Sequence, residues 1–298
     1  MKKVLKWIGI GLGSVVGVLV IGVLVVSFMG ARRLNRTYAV TVEAISIPTD
    51  EVAVARGEHL ATAVSGCNDC HAKDYSGQLF FDDPTIGQIY ATNLTAGQGG
   101  IGAAYTDEDW VRALTHGVAP DGRMLMFMPA QHFRHYSDAE VGAIIAYMKT
   151  APPVDNETPL PDFTFMGRIL FALNALGQMP AEMIDHKAKR PSPPPLGVTA
   201  EYGELLVTVG ICKDCHGANL AGGRPGPNEP WAPNLTPGGR LGHWAEADFV
   251  RVIREGKAPD RQLSEAMPWQ SYKGMTDEEL QAIWLYLSGL DALAANEQ

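Results

Sequence analysis

The feature that most restricts this chain is a pentapeptide, Cys67-Asn68-Asp69-Cys70-His71, which returns as Cys212-Lys213-Asp214-Cys215-His216. Two cysteines three positions apart share one helical turn. Each can form a thioether to a vinyl group on the same porphyrin edge, and the adjoining histidine then gives iron its axial nitrogen. A fold that bonds so large a planar group must be built round it. Half a zinc site, a thioredoxin-like pair and a local disulfide share the Cys-x-x-Cys spacing. Four-cysteine zinc sites, however, separate their pairs by ~15–20 residues. Here the pairs begin 145 positions apart, both end in histidine, and together they use all four cysteines. No βαβ pattern surrounds either motif, which argues against thioredoxin. The expected cofactors are two covalently bound haem c groups with their iron.

The motifs sit in two copies of one unit. Arg56-Gly57-Glu58-His59-Leu60 precedes the first and Tyr202-Gly203-Glu204-Leu205-Leu206 the second; Asn93-Leu94-Thr95 matches Asn234-Leu235-Thr236. From Tyr105 to Met148 the first copy aligns without a gap on Trp244 to Leu287, with Gly117 over Gly256 and Met128-Pro129 over Met267-Pro268. Each copy reads as mostly helical. A short amphipathic helix is expected to start near Gly57 or Gly203, and a second to follow Asp109 or Asp248. A last one opens on the capping boxes Ser137 to Glu140 and Thr276 to Glu279. Val141, Ile144, Ile145 and Met148, and likewise Leu280, Ile283, Trp284 and Leu287, form the buried stripe of that last helix.

The repeat also selects a sixth iron ligand. Copy one offers Met124, Met126, Met128, His116, His132 and His135. Of these only Met128 has a partner of its own kind, Met267, and proline follows both and restricts the backbone before it. Met124, Met126, Met166, Met183 and Met275 read as core filler, and the histidines outside the motifs as surface or packing residues. The axial pairs are therefore His71 with Met128 and His216 with Met267. A thioether favours ferrous iron, raises the potential and fills the coordination sphere. Such a site passes single electrons and does no bond chemistry.

Trp7 to Ala31 is a run of 25 residues without a charge. At ~1.5 Å per residue it reaches about 37 Å, enough to cross a hydrocarbon core of ~30 Å. It is too long for the apolar region of a cleaved signal peptide, and Phe28-Met29-Gly30-Ala31 makes a poor cleavage site. Gly9, Gly13 and Gly17 lie on one face of this helix, which could pack against another membrane helix or simply be scattered glycine. The expected layout is an anchor at 1–36, an exposed tether at 37–50 and a first domain at 51–151. A proline-rich linker at 152–198 follows, then a second domain at 199–291 and a tail at 292–298. Within the linker, Phe163 to Leu176 suits a short helix covering the seam between domains, with the membrane surface as its alternative. Residues 1–36 carry six basic and no acidic side chains, which leaves the remainder 18 basic against 33 acidic. A body so acidic does not suit nucleic acid.

The spacing from Cys-x-x-Cys-His to Met-Pro, the Asn-Leu-Thr stretch and the Ser/Thr-Asp-x-Glu opening of a last helix holding a tyrosine (Tyr147, Tyr286) resemble class I cytochrome c domains. More closely, the pair is similar to the membrane-bound cytochrome c subunits of bacterial alcohol, aldehyde and gluconate dehydrogenases, over roughly Asp50 to Leu290. Those subunits usually carry three such domains, and this chain has two. The resemblance implies a mainly α fold, an N-terminal transmembrane helix followed by two tandem class I cytochrome c domains. It implies an electron-transfer protein rather than an enzyme, working between a dehydrogenase or quinol-oxidising complex and an acceptor such as a soluble cytochrome or terminal oxidase. No small-molecule substrate is expected. Haem c is attached outside the cytoplasm, so the chain should cross the cytoplasmic membrane once with its body on the periplasmic side. The competing reading is a haem enzyme, such as a dihaem peroxidase with a switchable ligand in copy one. A cysteine-ligated thiosulfate-oxidising site would need a fifth cysteine.

Overall fold

A computed structural model describes residues 2–226 and 229–296. Met1 of the anchor and the last two residues of the tail, Glu297 and Gln298, lie outside the described residues. The uncharged run folds as α1, Lys2–Leu34, which among the described residues is the one helix long and apolar enough to cross a membrane.

The first domain comprises α2 (Glu51–His59), a π-helical turn (Leu60–Val64), α3 (Cys67–Cys70), strands β1 (Gln78–Asp83) and β2 (Gly87–Ala91), α4 (Asp107–His116), α5 (Ala130–Phe133) and α6 (Asp138–Met148). Short β3 (Asp162–Phe163) and α7 (Phe165–Ala172) follow. The second domain comprises α8 (Ala200–Val209), α9 (Cys212–His216), α10 (Glu246–Glu255), the two-residue strands β4 (Lys257–Ala258) and β5 (Arg261–Gln262), α11 (Trp269–Tyr272) and α12 (Asp277–Ser288). The mainly helical architecture with an apolar N-terminal helix is as expected. The antiparallel β1–β2 hairpin, extended by β3, is a feature of the first copy that helix periodicity did not disclose.

In each domain the first helix crosses the last at a glycine. Gly57 and Gly203 lie so close to the carbonyls of Ala143 and Ala282 that a Cβ at either would overlap them. These glycines are therefore crossing points inside the helices. The helices start earlier than expected, at Glu51 and Ala200, where Asp50 and Thr199 cap the first turns. From crossing glycine to first cysteine is ten residues in copy one and nine in copy two. Both ends are fixed, so the extra residue widens one turn: Ser65 N donates to the Leu60 carbonyl, an i to i+5 bond. The capping boxes form as read, Ser137 and Thr276 accepting from the amides of Glu140 and Glu279 while those carboxylates accept in return.

The segment 37–50 is not the exposed tether expected. Tyr38 N donates to Gly122 O, the Arg112 guanidinium donates to Val40 O, and Val42, Ile45 and Ile47 pack on the core. Nor does α7 cover a domain seam. It packs against the foot of α1, where a Cβ on Gly30 would overlap the Arg168 carbonyl. Arg33 completes the clamp with bonds to both Glu182 oxygens (2.6 and 2.8 Å) and to the Gly177 carbonyl (2.8 Å).

The two domains share one hydrophobic core. Their polar seam is reciprocal. Asp69, inside the first cysteine motif, accepts from Ser271 of the second domain (2.6 Å), and Asp214, inside the second motif, accepts from His132 of the first (2.8 Å). Between them Arg56 donates to Glu279 (3.0 Å) and to the Tyr202 hydroxyl (3.0 Å), with Glu140 at 3.5 Å, and His59 donates to Glu279 (2.7 Å).

Candidate haem sites

The residue before each first cysteine, Gly66 or Ile211, has a left-handed backbone (φ +59° and +62°). That sharp turn ends the preceding helix and starts the one-turn helix bearing both cysteines. Ala72 and Gly217, then Tyr75 and Leu220, repeat the left-handed pattern, so the backbone is duplicated even where side chains differ. Ile211 adopts it against the preference of a β-branched residue, a cost of about 1–2 kcal/mol.

His71 and His216 are set alike. Nδ1 of His71 lies 2.7 Å from the Thr92 carbonyl, and Nδ1 of His216 lies 2.8 Å from the Pro233 carbonyl. A carbonyl only accepts, so each Nδ1 carries the hydrogen and each Nε2 keeps its lone pair. Burial lowers both imidazole pKa values, which keeps the rings neutral and able to bind metal. The carbonyls lie next to Asn93 and Asn234, whose side chains steady the loop. Each asparagine oxygen accepts from the amide of Thr95 or Thr236, and each amide group donates to a carbonyl past the last helix, Val154 or Leu293. These acceptors fall in segments taken from sequence as linker and tail. They stand in the register of the repeat, which a backbone acceptor does not reveal.

The methionines are also presented alike. Pro129 and Pro268 have nearly equal dihedrals (−80°, 53° and −78°, 50°). Across them Ala130 N donates to Met128 O (2.7 Å) and Trp269 N donates to Met267 O (2.8 Å). In copy one the preceding Phe127 is left-handed (φ +59°), its ring packed at a tilt against Phe80 and Phe81 of β1. Cys67, Cys70, His71 and Met128 line one cavity of about 300 Å³, together with Met126, Trp110, Arg123 and Leu160. Ile211 of the second domain also reaches this cavity, so the second cysteine motif abuts the first site. In copy two Cys212 and Met267 pack against the core and His216 is buried.

Burial pushes the Cys67 and Cys212 thiols up to about 12 and Cys70 up to about 11. Reactive dithiols need the opposite shift, so the environment disfavours a redox-active cysteine pair. The cavity of copy one suits a large apolar ring bearing carboxylates. Its lining is mostly hydrophobic, the buried Trp110 Nε1 has no partner, and the Arg123 guanidinium stands nearby. Two of the three spare histidines of copy one are engaged elsewhere, His116 against His186 (3.0 Å) and His132 with Asp214.

Residues 54–152 match the family model described as cytochrome c, and residues 200–287 match that described as cytochrome c oxidase, cbb3-type, subunit III. The chain is 30% identical over 284 residues to the cytochrome c subunit of an alcohol dehydrogenase (quinone) of Gluconobacter oxydans (strain 621H), covering 82% of this chain and 56% of that one. It is 29% identical over 276 residues to the fructose dehydrogenase cytochrome subunit of Gluconobacter japonicus, covering 82% and 54%. With the gluconate 2-dehydrogenase cytochrome c subunit of Pantoea cypripedii it shares 30% over 277 residues, covering 83% and 62%. It thus spans between about half and three-fifths of the length of these relatives.

Proposed function

The chain belongs to the c-type cytochromes, with two cytochrome c domains in tandem, and from that premise we propose that it is a membrane-anchored dihaem electron carrier serving a dehydrogenase. Cys67 with Cys70, and Cys212 with Cys215, would hold one haem c each through thioethers. His71 with Met128, and His216 with Met267, would supply the two protein ligands to each iron. The haem supplies a one-electron couple; the chain's own residues bind it, orient the imidazole and keep water out. The Nδ1 bonds to Thr92 and Pro233 fix each ring and make Nε2 the better donor. Trp110 and Arg123 would meet the carboxylates of the first group. The helix α1 crosses the cytoplasmic membrane and the body lies outside. Electrons enter from a dehydrogenase subunit, as the names of the relatives suggest, or from a quinol-oxidising complex. They leave to a soluble cytochrome, a terminal oxidase or quinone.

The observation that carries this proposal is the paired geometry: two histidines with Nδ1 spent on a loop carbonyl, and two methionines presented by the same Met-Pro turn. A redox titration of the purified chain tests it. Two one-electron steps at positive potential are expected, and two strongly negative midpoints would contradict methionine ligation. The peroxidase alternative has no observation in its favour: of the copy-one histidines that could switch onto iron, His116 is held by His186 and His132 by Asp214.

A further inference from the structure

The helix α7 has apolar residues on both faces. Gly167 and Phe171 point into the protein and are buried. On the other side Phe165, Met166 and Leu173 are 49%, 46% and 64% exposed, with Ile169 between them. Phe165, Ile169 and Leu173 stand four apart, so they form one stripe along the helix. Such a stripe would be costly against water and needs an occupant.

Its position identifies one. The backbone of α7 touches α1 at Gly30, the last residue but one of the uncharged run. Where α1 spans a bilayer, Gly30 stands at the outer boundary of the hydrocarbon. The contact between Gly30 and Arg168, with the Arg33–Glu182 clamp, fixes α7 at that same depth. Phe28 and Met29, 63% and 56% exposed, continue the apolar surface from α1. Arg32, Arg36 and Arg168 are exposed around it, where phosphate headgroups would lie. This is the layout of an interfacial amphipathic helix, with apolar side chains toward acyl chains and cations in the headgroup layer.

Resting on the reading of α1 as membrane-spanning, we propose that α7 is a second membrane contact, a short helix lying in the outer lipid headgroup layer with Phe165, Ile169 and Leu173 toward the acyl chains. Because β3 joins α7 to the β1–β2 hairpin, the contact ties the first haem domain to the bilayer surface.

Spin labelling of the full chain in nanodiscs of mixed zwitterionic and anionic phospholipid tests this. Single nitroxides are placed through Leu173→Cys on α7, Val18→Cys midway along α1, and Glu278→Cys on the exposed start of α12. Collision with oxygen reports lipid, and collision with a water-soluble nickel chelate reports solvent. The expected result is oxygen in excess at both 18 and 173, deeper at 18, and nickel in excess at 278. Nickel in excess at 173 with oxygen in excess at 18 would overturn the α7 contact and leave the anchor standing. Nickel in excess at 18 would overturn the spanning helix, and the proposal with it.

Discussion

Glu279 offers the most quantitative test of how the two halves are joined. It is 3% exposed, yet it accepts from His59 and Arg56 of the other domain and from its own helix cap at Thr276. Burial alone would raise its pKa; the His59 hydrogen bond, the Thr276 amide and Arg56 outweigh that and hold it at about 2, against an ordinary 4.5. A carboxyl so depressed stabilises the folded chain by about 3 kcal/mol. Since the folded value is the lower one, this contribution is complete above pH 4.5 and is lost as pH falls toward 2. Glu279→Gln keeps the capping acceptor but removes the charge, and leaves Glu140 at 3.5 Å as the one carboxylate beside Arg56. Urea unfolding of the full chain in detergent, followed by circular dichroism, should show a loss of about 2–3 kcal/mol at pH 7. The gap should close as the medium is acidified, because the native carboxyl is then protonated too. The exposed Glu278→Gln should cost no more than about 0.5 kcal/mol. A variant within about 0.5 kcal/mol of the native chain, or a gap unchanged from pH 7 to pH 3, would refute the assignment of that energy to the seam.

Met128→Ala should abolish the sulfur-to-iron near-infrared band of one haem and lower its midpoint potential, whereas Met126→Ala, which alters the same cavity, should do neither; spectroelectrochemistry separates them. Gly203→Ala should cost on the order of 2–3 kcal/mol in thermal or urea unfolding because the α8–α12 crossing must open. Gly13→Ala, with nothing within 4 Å of its Cβ, should leave stability unchanged. Replacing Gly9, Gly13 and Gly17 together by Ile should release a membrane partner if that face packs against one, and unchanged co-purification would count against such a role.

The signals legible from sequence were those written in side chains at fixed spacing. The cysteine motifs and the capping boxes at Ser137 and Thr276 belong to this class. Features made by the backbone were hidden. The carbonyls of Val154 and Leu293, which close each loop, can belong to any residue, so the repeat seemed to stop at Met148 and Leu287. The π-turn at Leu60–Val64 corresponds to a one-residue difference between copies, visible only when both the crossing glycine and the cysteine are taken as fixed. The β1–β2 hairpin follows Asp83-Pro84 and Gly87, a turn signal outweighed by the helical character of its surroundings. Placement of α7 depended on Gly30, a glycine indistinguishable by sequence from the others in α1, although only Gly30 among them meets a backbone.

The crossed bonds Asp69–Ser271 and Asp214–His132 make the two cysteine loops mutually dependent. Each loop takes one hydrogen bond from the opposite half, so a disturbance in one half reaches the other half's loop through the joint.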